Sequence, residues 1–209
     1  MKNGNNWDPI NPDLMEGSLV ATFAAAGAGD TVELDSRVDL KGMVFDLEDA
    51  PSAFAFEKTG ENALLAIGEK GAVFAESAPP CDITFGPKVF VGASELWSIG
   101  AGGKNLTFEN GFSSQGSSVV FALAATNRVG VTLKGDSSDF VGTLRSTNVM
   151  FTVDTASEYP FGTVRPEIYI GSPFGNSTNQ PAVKVVGKGG RIRLSPIIGK
   201  YADKIVERV

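Results

Sequence analysis

The sequence predicts an all-β fold, a parallel β-helix-like solenoid of short strands with Gly-rich corners. Three observations carry this. Apolar residues alternate in short runs, helical spacing is nearly absent, and 25 Gly and 11 Pro punctuate 209 residues. Phe dominates the aromatics, at 14 against 3 Tyr and 2 Trp, and with no polar tip it belongs inside.

Residues 1–30 read as an N-terminal lead-in and cap. Trp7, Ile10, Leu14 and Leu19 are placed to cover the open end of a solenoid, whose unpaired backbone would otherwise recruit other chains. FAAAGAGD at 23–30 is a small-residue stretch with a Gly turn. The solenoid is expected over 31–154. Its strand segments are TVEL (31–34), MVFDL (43–47), AFAF (53–56), ALLAI (63–67), AVF (72–74) and DITF (82–85). KVFV (88–91), ELWSI (95–99), NLTF (105–108), SVVFAL (118–123), VGVTL (129–133), FVGTL (140–144) and VMFTV (149–153) follow.

Gly-rich gaps join these segments, as tight corners require. Recurrence at about twenty residues would stack Phe45, Phe85, Phe108 and Leu133 into one internal column. A β-sandwich or jelly roll is the competing architecture, but it wants fewer and longer strands.

Residues 155–195 read as an irregular loop plus terminal strands, EIYI (167–170), VKVV (183–186) and RIRL (191–194). Residues 196–209 form a tail. Pro196 breaks the chain, and the spacing of Ile198, Tyr201, Ile205 and Val209 predicts a short amphipathic capping helix.

Composition narrows the chemistry. There is no His, hence no Ser-His-Asp or Cys-His pair and no imidazole metal ligand. Cys81 is the one cysteine, so no internal disulfide forms. The net charge of -6 repels a phosphate backbone, which argues against a nucleic-acid partner. Lys184, Lys188, Arg191 and Arg193 alternate as the solvated side of strands. No apolar run is long enough to be a transmembrane segment, and the polar start MKNGNNWDPINPDLMEG carries no leader-like apolar region.

Candidate sites are few. Lys134, Asp136, Asp139 and Arg145 offer the residue types of a polysaccharide-cleaving β-helix, but KGDSSDF reads as a polar corner. Asp46, Glu48 and Asp49 form an acidic group without calcium-loop spacing. Gly100, Gly102, Gly103 and Lys104 lack the Ser or Thr and the helix of a phosphate loop. Cys81 has no activating partner. No catalytic residue, metal site or cofactor is assigned. The binding candidates are Tyr159, Phe161, Tyr169 and Phe174, aromatics in or beside the irregular stretch, where rings stack on sugars or fill a partner's pocket.

GKNLTFENG (103–111) and VGVTLKGDSSDFVGTLRSTNVMFTVD (129–154) resemble the autotransporter-associated β-strand repeat. Thr132, Leu133, Gly135, Phe140, Gly142, Thr143 and Leu144 fall on its positions, and Trp7, ATF (21–23) and DTVELDSRVDLKGMVFD (30–46) resemble its lead-in. Neither a leader nor a C-terminal membrane barrel is expected, and in this the chain departs from that family. The resemblance implies a passenger-like module outside a bacterial cell or on its surface. The expected function is a non-catalytic, adhesin-like scaffold that binds glycan or protein, or assembles into a homo-oligomer. Two alternatives stay open: a virion structural protein (tail fibre or capsid-associated) and a polysaccharide-acting β-helix enzyme.

Overall fold

The computed structural model describes residues 19–24, 31–46, 53–76, 81–100 and 103–163, with the backbone alone at 24 and 103 and over 167–169, 183–185, 197–198 and 206–208. Every described element is a strand, and every pairing is parallel. The strands wind into a β-solenoid of about five turns. A sandwich or jelly roll is thereby excluded, because its hairpins pair antiparallel.

Three walls of parallel strands build the solenoid, the third ending at Phe112–Ser114. The first wall starts with β1 (Val20–Ala24), which lies on the second half of β3 (Arg37–Asp46). It continues through the second half of β5 (Leu64–Phe74), β8 (Glu95–Ile99) and the first halves of β11 (Val120–Leu133) and β12 (Thr143–Val153). The second wall runs from β2 (Thr31–Leu34) through β4 (Ala53–Lys58), β6 (Cys81–Phe85) and β9 (Gly103–Phe108). It ends on the second halves of β11 and β12. The third wall stacks the first halves of β3 and β5, then β7 (Lys88–Val91) and β10 (Phe112–Ser114).

The solenoid begins inside the expected lead-in, since β1 already pairs, and it extends past 154. There β13 (Glu167–Tyr169) and β14 (Val183–Val185) add to β12. Next come β15 (Ile197–Ile198) on β13 and β16 (Val206–Arg208) on β14. The described parts of the tail, Ile197–Ile198 and Val206–Arg208, are strands, and no helix occurs among the described residues. A short isolated helix is marginal, whereas β13 and β14 each offer an open edge that a strand can satisfy. Trp7, Ile10, Leu14, Tyr201, Ile205, Val209 and the segment RIRL lie outside the described residues.

Alternation places the core. Along β8 the pattern is buried Glu95, exposed Leu96, buried Trp97, exposed Ser98 and buried Ile99. In the first wall Phe23, Phe45 and Phe74 stack face to face, with ring centroids 5.1 and 4.6 Å apart. In the second wall Phe56, Phe85 and Phe108 do the same at 5.4 and 5.1 Å. Trp97 joins the walls, 5.2 Å from Phe85 and 5.1 Å from Phe121. The expected column is thus right for Phe85, Phe108 and Leu133, which are in register, but Phe45 belongs to the first wall. The reason is uneven turn length. Phe56 to Phe85 is 29 residues, Phe85 to Phe108 is 23, and Leu133 to Val153 is 20.

Corner side chains tie each turn to its neighbour. Ser94 Oγ accepts from the Val120 N–H at 3.0 Å, Ser114 Oγ from Val141 N–H at 3.1 Å and Ser137 Oγ from Phe112 N–H at 3.1 Å. The Asn148 amide donates to the Ala125 carbonyl at 2.9 Å. These bonds satisfy backbone groups that leave the ladder where the chain bends.

Candidate functional site

The outer surface of the second wall carries one repeated chemistry. Thr84, Thr107, Thr132 and Thr152 occupy the same register position on β6, β9, β11 and β12. Below Thr84 the rank continues as Ala55 and Thr31. Strand alternation puts these residues outward because their neighbours Ile83 and Phe85, Leu106 and Phe108, Val131 and Leu133, and Phe151 and Val153 are buried. Ladder spacing repeats the threonines at about 4.7–4.9 Å. β-Branching stiffens each side chain and suits it to a strand.

The four hydroxyls have no hydrogen-bond partner among the described residues. Corner hydroxyls behave differently, because those of Ser94, Ser114 and Ser137 are committed to backbone N–H groups. Each ladder hydroxyl keeps a donor and two acceptor positions for another molecule.

Polar residues flank the rank. On one side Asp82 and Asn105 are in register, with the Asn105 amide donating to Asp82 Oδ1 at 2.7 Å, and Gly130 and Met150 continue that row without a polar group. Lys104 lies 3.8 Å from the same carboxylate. On the other side, Lys134 pairs with Glu109 at 2.9 Å. The wall carries a strip of hydroxyls edged by two charge pairs and the Asn105 amide.

Of the sequence-derived aromatic candidates, Tyr159 and Phe161 have described side chains. Phe161 is 1% exposed and packs edge-on against Phe151 at 5.1 Å, so it is core and faces no ligand. The ring belongs to the apolar core that Phe151 and its neighbours form. Tyr159 is half-buried, and its carbonyl accepts from the Ser137 and Gly162 N–H groups. Tyr169 is a backbone position in β13 opposite Thr147, and Phe174 lies outside the described residues.

The charged candidates separate as well. Lys134 is held by Glu109, and Asp139 by Lys88 at 2.9 Å. Asp136 accepts from the Ser138 and Ser157 hydroxyls and the Ser138 N–H. Burial alone would raise its pKa, but these donors, with Lys88 nearby, hold it below the ordinary value. Arg145 is an exposed position of β12 in register with Glu167.

Asp46 ends β3, while Glu48 and Asp49 are outside the described residues. Gly100 donates to the Phe74 carbonyl at 3.1 Å, Gly103 and Lys104 begin β9, and Gly102 lies outside the described residues. Cys81 is fully buried. Lys184 is a backbone position of β14, and Lys188, Arg191 and Arg193 lie outside the described residues. Among the described residues no three His, Cys, Asp or Glu side chains gather as a metal-ligand set, and no helix is long and apolar enough to cross a membrane.

The signal for the hydroxyl strip stood in the sequence. Thr immediately precedes the inward Phe85, Phe108, Leu133 and Val153. Read for their apolar partners, those segments give the core; read for the residue between, they give the surface. Comparison of the chain with protein families, with curated proteins and with solved structures found no match.

Proposed function

We propose that the chain is a non-catalytic β-solenoid scaffold of the cell surface or extracellular space that binds a neutral glycan along its second wall. The observation that carries this is the in-register rank of unpartnered Thr84, Thr107, Thr132 and Thr152 hydroxyls. An extended polysaccharide presents hydroxyls at a repeat comparable to the strand spacing, so one chain lying along the solenoid axis meets a donor and acceptor at each turn. The threonines are already ordered in strands, so little side-chain entropy is lost on binding. Asp82 and Glu109 beside the rank, and the net charge of -6, disfavour a polyanionic ligand. The resemblance to autotransporter-associated repeats supports display outside the cell.

The test is co-sedimentation with insoluble cellulose and chitin, alongside soluble polygalacturonate, for the wild type and a Thr107→Val/Thr132→Val variant. Binding to a neutral polymer is expected, weakened roughly tenfold or more in the variant through loss of two hydroxyls. Thr147→Val, on the first wall, is expected to bind normally. No retention on either neutral polymer, or retention indifferent to the double substitution, overturns the reading.

A further inference from the structure

Among the described residues one charged side chain lies in the core. Glu95, 4% exposed, opens β8 and points inward with Trp97 and Ile99. The Trp97 indole N–H donates to its Oε1 at 2.7 Å. Its Oε2 is buried with no hydrogen-bond partner.

The surroundings offer no counter-charge. On β11 the residue in register is Phe121. On β5 the strand meets β8 from Ala72 onward, and Gly71 lies against the Leu96 carbonyl. Lys70, which precedes them, is exposed. Across the core, Trp97 is ringed by Phe74, Phe85, Phe108 and Phe121. The preceding corner residues are Ala93 and Ser94, and the Ser94 hydroxyl accepts from Val120. None of these groups is a buried cation. An ionised carboxylate here would have one indole donor and no opposite charge, which a low-dielectric interior penalises heavily.

We propose that Glu95 is a pH-sensitive fastener of the solenoid: as a neutral carboxylic acid it keeps the turn around Trp97 closed, and its ionisation loosens that turn. Burial lifts its pKa from 4.5 to about 9, against a smaller lowering by the Trp97 hydrogen bond. The unfolded chain releases this proton near 4.5 while the folded chain keeps it to about 9. Folding therefore takes up a proton across that window. The contribution is fully present below the window and is lost as pH rises through it. Each pH unit lowers the folded-to-unfolded ratio about tenfold until the folded group ionises.

Thermal midpoints from about pH 5 to about pH 10 test this, with wild type compared to Glu95→Gln. Both are made in a Trp7→Phe background so that fluorescence reports Trp97. The wild-type midpoint is expected to fall across the window, with Trp97 emission moving to the red at the alkaline end. Glu95→Gln is expected to be flatter and to show no red shift. Parallel midpoint curves overturn the proposal. Carbon-13 NMR of the wild-type glutamate carboxyls decides it even if the variant does not fold. A Glu95 carboxyl that titrates near 4.5 in the folded protein is equally fatal.

Discussion

The rings of Phe85 and Phe108 stack 5.1 Å apart with their planes 16° from parallel, one turn of the solenoid above the other. Phe85 also stacks on Phe56 and meets Trp97, so it touches aromatic rings on three turns. Phe85→Ala is expected to cost about 3–5 kcal/mol, since it leaves a cavity that strands fixed by their ladders cannot close. Phe85→Leu should cost less. Urea unfolding midpoints of the two variants measure the difference.

Gly71 has a φ of 58°, and a Cβ there would sit 2.0 Å from the Leu96 carbonyl oxygen. Gly71→Ala is therefore expected to destabilise by about 2–4 kcal/mol through strain and backbone displacement. Gly116 has open space around the same position. Gly116→Ala should be within about 0.5 kcal/mol of neutral, or slightly stabilising. Calorimetry of both variants checks the contrast, and equal effects would remove the steric argument.

Asn148 combines a φ of 57° with a side-chain bond to the Ala125 carbonyl on the preceding turn. The order of stability should be Asn, then Gly, then Ala. Gly loses the hydrogen bond, about 1 kcal/mol, while Ala loses it and also carries left-handed strain of about 1–2 kcal/mol. Thermal denaturation of Asn148→Gly and Asn148→Ala gives that order directly.

Asp136 has a folded pKa held below its ordinary value, so its contribution is present above the unfolded pKa and is lost as pH falls through the folded one. Asp136→Asn should be less stable than wild type at neutral pH, and the two curves should converge in acid. Chemical denaturation across the acid range tests the convergence. This limb runs opposite in sign to the loss with rising pH expected from Glu95, which separates the two residues in one pH series.

Much of this architecture was legible in the sequence, because an alternating period needs only local information. KVFV and ELWSI are strands with the bounds their patterns suggest. Which wall a segment joins depends on corner length, and corners carry little periodic signal. That is why Phe45 separates from Phe85. In the tail, apolar residues three and four apart suit a helix, yet at Ile197–Ile198 and Val206–Arg208 the open edges of β13 and β14 are met by strands. Glu95 was hidden within ELWSI. No local rule marks an acid as inward until Leu96 and Ser98 are seen to face out. Aromatics on an irregular stretch suggested a binding surface, but Phe161 shows that a ring in a loop serves the core when a turn needs closing.

The parallel pairing has a consequence for how the chain reaches this state. Each strand meets a partner only 20–32 residues away along the second wall, never the opposite end of the sequence. Loop-closure entropy is therefore about the same for every turn, and each completed turn leaves a template edge for the next. Assembly can advance coil by coil as chain is supplied from one end. An interruption part-way would leave a shorter stack with its last edge open, not a collapsed globule.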